Sequence, residues 1–257
     1  MTESTRLAPD RYLALIAADG QRLVAVAEGH LDNPVPPCPG WTVTDLLEHT
    51  GSVYNHKIAC MRLGRRPLES EFAHAPAEGE DLLAWFRGAH AELLTELASR
   101  PPDSATYTWY PPEQDVAFWI RRMAHETVVH RVDAESASGQ VTATDDDLAV
   151  DGIDEVLQLF LSYALGADPD EDVVAYQGRS LRVRTGSWAW QVSVDTSDPA
   201  NKIPLQRTSA PAQATVSGEP SELLLWLWGR RPDSAVTVHG DPAAAAAARE
   251  LLARGTE

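Results

Sequence analysis

The sequence predicts a helical bundle followed by a small α+β unit. Two observations carry this expectation. Between residues 10 and 138, four stretches of about 20 residues place apolar side chains at helical spacing. From about Tyr176 the pattern becomes short runs that alternate or are rich in β-branched residues, bounded by Gly, Asp, Ser and Pro. The expected domains are residues 1–145 and 146–257.

The first helix is expected over Asp10–Leu31, with Leu13, Ile16, Ala17, Leu23, Val24 and Ala27 on an approximate helical period and Asp10 as its N-cap. NPVPPCPG (Asn33–Gly40) then ends it, because four prolines in eight residues remove donors and clash with a continuing helix. The second helix starts within WTVTDLLEHTG, capped by Thr42 or Thr44, with Asp45 near the positive end of its dipole. Gly64 and Pro67 mark its exit. The third spans Glu78–Ser99 and stops at Arg100-Pro101-Pro102; the fourth runs from about Asp115 to Ser138. Four such helices suit an antiparallel bundle. Asp147–Leu165 reads as a further helix. SLRVRTG, WAWQVSVDTS, ATVSG and AVTVHG read as strands. SELLLWLWGR reads as a short helix capped by Ser221, and DPAAAAAARELLAR as a closing helix with Asp241 as N-cap and Pro242 at its first position.

Composition narrows the function. Lys and Arg total 21 against 38 Asp and Glu, a net charge of −17. Such a chain is repelled by phosphate backbones and anionic lipid surfaces, so neither nucleic acid nor membrane is an expected partner. No run approaches the roughly 20 apolar residues of a membrane span. Cys38 and Cys60 are too few for a disulfide framework and read as reduced thiols. The expectation is a soluble cytoplasmic protein, a monomer or homodimer. Phosphate-binding GxxxxGK[ST], GxGxxG, nucleophile-elbow GxSxG and CxxC motifs are all missing from the sequence, which removes the common nucleotide, hydrolase and thioredoxin-type assignments.

The histidines carry the chemistry. His125 and His130 form an HExxxH pattern, one residue longer than the zinc-protease HExxH. At 3.6 residues per turn these two lie about 140° apart and cannot easily grip one ion. Glu126 and His130 are four apart, on one face, and can. A third ligand must come from another helix, where His49 and His56 lie seven apart on one face. Two imidazoles and a carboxylate would leave a coordination position open, as catalytic metal sites do.

The segments PGWTVTDLLEHTG (Pro39–Gly51), WIRRMAHETVVHRVDAE (Trp119–Glu135) and VSGEPSELLLWLWGR (Val216–Arg230) followed by VTVHGD resemble, in order, the mycothiol-dependent maleylpyruvate isomerase family. The resemblance covers nearly the whole chain. It implies a DinB-like four-helix N-terminal domain and a sterol-carrier-like α+β C-terminal domain. It implies a divalent metal, zinc being the usual one, with His49, Glu126 and His130 as ligands. His56 then becomes a core or supporting residue, and Asp133 a group that could orient a ligand imidazole. It also implies mycothiol as thiol cosubstrate. Arg230, in the C-terminal Gly-Arg pair, corresponds to an arginine that serves the family's active site and could bind an anionic substrate. Maleylpyruvate itself is not assured as substrate, since His125 and the Tyr107–Pro111 loop look particular to this chain. The expected function is an enzyme, a mycothiol S-transferase or isomerase acting on an electrophilic small molecule. A non-catalytic small-molecule-binding protein with a vestigial or structural metal, and a zinc-dependent hydrolase, are the alternatives.

Overall fold

A computed structural model describes residues 4–165, 176–195, 197, 203–208 and 210–255. The chain divides into two compact units, one of residues 7–142 and one gathering the described residues of 1–6 and 143–257. The N-terminal segment joins the second unit, a placement no sequence pattern announces: Thr5 Oγ1 donates to the buried Asp151 carboxylate at 3.0 Å.

The first unit is the expected four-helix bundle: α1 (Pro9–Ala27), α2 (Val43–Leu63), α3 (Leu82–Ala98) and α4 (Val116–Ser138). Their ends follow local chemistry. Thr42 caps α2 in a reciprocal capping box, its Oγ1 accepting from the Asp45 N–H while Asp45 accepts from the Thr42 N–H at 2.7 Å. Asp81 and Asp115 cap α3 and α4 by accepting from the Ala84 and Phe118 N–H groups. Gly64, at φ +64°, ends α2 in the left-handed region open to glycine. One expected cap is corrected. The N-cap of α1 is Ala8 rather than Asp10, because Pro9 at the first helical position pre-sets φ and starts the helix early. Asp10 then lies inside the first turn.

α4 packs against α1, α2 and α3, which makes it the central helix. Trp119, Met123, Val128 and Val132 are buried along it, and so are Arg121, Arg122, His125, His130, Arg131, Asp133 and Glu135. Charges in such a position need partners.

The second unit begins with α5 (Asp146–Glu155), which continues as a π-helical stretch over Val156–Ala164. β1 (Ser180–Thr185) and β2 (Trp188–Ser193) form an antiparallel hairpin turned at Gly186. β3 (Leu205–Gln206), which the sequence reading did not contain, pairs with β2. β4 (Ala214–Ser217) runs parallel to β1, and β5 (Thr237–Gly240) pairs antiparallel with β4. The mixed sheet has the order β3-β2-β1-β4-β5. Thr196, in the expected second strand, lies outside the described residues. α6 (Pro220–Leu227) packs on α5, and α7 (Pro242–Gly255) on the sheet. Ser221 does not cap α6. Pro220 again starts the helix, two residues earlier than a Ser221 cap would, and Ser221 Oγ instead accepts from the Thr144 N–H at 2.9 Å. No helix among the described residues is long and apolar enough to cross a membrane.

Candidate metal centre in the bundle

α2 and α4 lie side by side, and one cluster forms between them. The capping box fixes the start of α2 two turns before His49. The proline loop is pinned by the Val35 N–H donating to the Trp41 carbonyl and the Trp41 N–H to the Cys38 carbonyl. That loop sets the Trp41 ring 4.9 Å from the His49 ring.

His130 Nε2 stands 3.3 Å from Glu126 Oε1, and His49 Nε2 stands 3.7 Å from the same oxygen. One donor atom from each of the three residues lies within 4.8 Å of the others. Donors about 2.1 Å from a tetrahedrally coordinated zinc are about 3.4 Å apart, so two of these separations already match such an ion. His130 and Glu126 are buried or nearly so, while His49 is 41% exposed. The cluster is therefore open on the α2 side. The donor set of two imidazoles and one carboxylate fits a divalent transition metal.

The surroundings aim these donors. His130 Nδ1 donates to Asp133 Oδ2 at 3.0 Å, which makes Nε2 the nitrogen that faces Glu126 and His49 and the one a metal would take once its proton leaves. Arg122, one turn before Glu126, donates to Glu126 Oε2, so only Oε1 faces the imidazoles. Burial alone would keep His130 neutral, but Asp133 and Glu126 outweigh it and raise its pKa to about 9. Burial would likewise raise the Glu126 pKa, yet Arg122, His130 and His49 hold it well below the usual carboxylate range. In the metal-free centre Arg122 and a protonated His130 balance Glu126 and Asp133; a dication would displace the His130 proton and take over its charge.

A cleft of about 590 Å³ opens beside His49, with Trp41, His56, Lys57, Phe72 and His74 in its walls. His56 thus lines a cleft and lies outside the triad; its Nδ1 is 3.0 Å from Lys57 Nζ and 3.6 Å from Cys60 Sγ. Burial, aided by the charges of Lys57 and Arg66, lowers its pKa to about 4. His125 points elsewhere, packed edge-on to Tyr12. The aromatic loop before α4 packs on that helix: Tyr110 stacks on Phe118, and Trp119 Nε1 donates to the Tyr107 carbonyl. Cys38 and Cys60 are free thiols, and Cys38 Sγ lies 3.7 Å from Asp133 Oδ2. Arg230 belongs to the second unit, where it donates to the Trp228 carbonyl at 2.6 Å. Two residues escaped the sequence reading, Arg122 and Lys57. Arg122 was legible in principle, at the i,i+4 spacing to Glu126.

Family models decide the kinship. The "Mycothiol maleylpyruvate isomerase N-terminal domain" matches residues 13–135, and the "MDMPI C-terminal domain" matches residues 147–247. The chain belongs to the mycothiol-dependent maleylpyruvate isomerase family. The fold agrees with that membership. A crystal structure of a mycothiol-dependent maleylpyruvate isomerase is similar at 14% identity and a TM-score of 0.57, over 90% of this chain and 93% of that one. The crystal structure of a histidine-to-alanine mutant of that isomerase is similar at 11% identity, with the same coverage and TM-score. No curated protein sequence matches the chain significantly.

Proposed function

We propose that this family member is a mycothiol-using enzyme, an S-transferase or isomerase of an electrophilic small molecule, working as a cytoplasmic monomer or homodimer. His49, Glu126 and His130 would hold its divalent metal, zinc being the expected one. The observation that carries this reading is the convergence of two imidazole nitrogens and one carboxylate oxygen beside an open cleft, in a chain of this family. A bound dication would supply positive charge that favours the thiolate over the thiol.

The chain's own residues do the positioning. Asp133 fixes the His130 ring, Arg122 fixes the Glu126 carboxylate, and Trp41 flanks His49. The exposure of His49 gives a thiol and an electrophile access from the cleft. In an isomerisation the cosubstrate sulfur adds to an electrophilic carbon and later leaves, so the thiol is regenerated; in a transfer the new C–S bond persists. Arg230 is proposed to bind an anionic part of the substrate through its planar fork.

Elemental analysis tests the reading. About one zinc per chain is expected in the wild type and none in a His49→Ala/His130→Ala variant. Turnover of electrophiles with mycothiol is expected to vanish in His49→Ala. A wild type that takes up no metal from a small excess of zinc would favour a non-catalytic binding protein instead. Turnover without any thiol would favour a hydrolase.

A further inference from the structure

Lys57 is the unusual cation of this unit. It projects from α2 between helices, and its ammonium lies 5.3 Å from the ring centre of the fully buried Trp119 on α4. Among the described residues it makes no ion pair. Its close partners are that ring and His56 Nδ1, an imidazole held neutral at neutral pH. Glu126 acts on it only from beyond ion-pair distance, so this half-buried ammonium, without a paired carboxylate, gains from an anion that joins it. Burial accordingly pushes its pKa down.

The position of the ammonium is informative. Lys57 lines the same cleft as His49, two turns further along α2, and helical side chains lean toward the N-terminus, here toward His49. Eight residues span roughly 12 Å of helix, less the reach of the lysine. The cleft walls carry the flat rings of Trp41 and Phe72, the latter 5.0 Å from the His56 ring. Three further lining residues, Asp45, Glu48 and Glu69, are acidic. Asp45 is engaged with Thr42, and Glu69 lies 3.4 Å from His74 Nε2. Such solvated carboxylates are screened by water and salt, and none of the three pairs with Lys57.

We propose that this cleft binds a flat ligand with one anionic end, its carboxylate received by Lys57, its body against Trp41 and Phe72, and its other end directed to His49. The reading of His49, Glu126 and His130 as the reaction centre is assumed here. Lys57 is the one lysine or arginine among the lining residues, so a second carboxylate on the ligand gains no fixed cationic partner there.

Isothermal titration calorimetry with trans-cinnamate, its neutral amide and 4-carboxycinnamate tests this without any turnover. The zinc-loaded wild type is expected to bind cinnamate about tenfold or more tighter than the amide, and tighter than the dianion. Lys57→Met is expected to erase the acid-over-amide preference, and Lys57→Arg to keep part of it. Equal binding of acid and amide by the wild type, or no binding of cinnamate, would overturn the proposal even if Lys57→Met fails to fold. So would a preference that survives in Lys57→Met, or one that disappears when zinc is stripped from the wild type, since the carboxylate would then be on the metal. Intact cinnamate selectivity in a protein with no thiol-dependent turnover would refute the enzymatic reading and leave this one standing.

Discussion

Asp133, with no exposed surface, accepts the Nδ1 hydrogen bond of His130 at 3.0 Å and thereby decides which imidazole nitrogen meets Glu126. The two residues are three apart on α4, so one helix supplies both the donor and the group that orients it. Asp133→Asn keeps the shape but can present an amide N–H to Nδ1, which turns the Nε2 lone pair away from the cluster. Zinc affinity is expected to fall about 10- to 100-fold, read by chelator competition, with the helical circular dichroism unchanged. Unaltered affinity would remove Asp133 from the site.

Arg122 and Glu126 form a buried pair one turn apart, with side-chain exposures of 6% and 12%. Arg122→Met leaves Glu126 to the imidazoles alone. The metal-free protein is expected to lose on the order of 3 kcal/mol, and the zinc-loaded protein less, because the dication takes over part of the neutralisation. Thermal melts with and without zinc measure the difference. Equal losses in both forms would separate Arg122 from the metal centre.

Gly51 closes the PGWTVTDLLEHTG segment for a reason found on α3. A Cβ at this position would stand 2.4 Å from the Trp85 ring, far inside contact distance. Gly51 lies two residues after His49, so the close approach of α2 to α3 also sets where His49 stands. Gly51→Ala is expected to cost about 1–3 kcal/mol as Trp85 gives way. Zinc affinity should fall with it, whereas Gly88→Ala, which meets no neighbour within 4 Å, should leave zinc affinity unchanged and raise stability by up to about 1 kcal/mol through helix propensity.

The bundle was legible because its signals are local. Capping residues, prolines and apolar spacing place four helices without tertiary information, and the four-residue step from Glu126 to His130 puts a carboxylate and an imidazole on one face. Choosing His49 over His56 took the family resemblance, since both share a face of α2; the structure puts His49 against Glu126 and His56 in the cleft. The missed caps share one cause. Pro9 and Pro220 each start a helix two residues earlier than a cap at Asp10 or Ser221 would. Two-residue β3 is too short to show a period. Lys57 reads as one more surface lysine until α4 places Trp119 against it. Arg230 was found by motif alone, and its local partner is the Trp228 carbonyl within its own turn.

Glu135 ties the end of α4 to α1 and to the residues that follow. It accepts from Arg22 Nε at 2.9 Å, Arg131 Nη1 at 2.8 Å and the Thr142 N–H at 2.8 Å. Burial raises its pKa, but the Thr142 N–H, Arg22 and Arg131 together bring it below the ordinary glutamate value. A depressed carboxylate stabilises the fold above its unfolded pKa of about 4.3, and that contribution fades as pH falls through the lower, folded value. Glu135→Gln removes the charge while keeping the shape. Its cost at pH 7 is expected to be roughly 2 kcal/mol, below the range for a fully buried pair because Arg22 is half-exposed. Urea melts of both proteins from pH 7 to pH 3 read the linkage: the gap should narrow only below about pH 4.3, as the wild-type carboxylate takes up its proton. A gap that stays constant across that window would mean the Glu135 charge adds nothing beyond its shape.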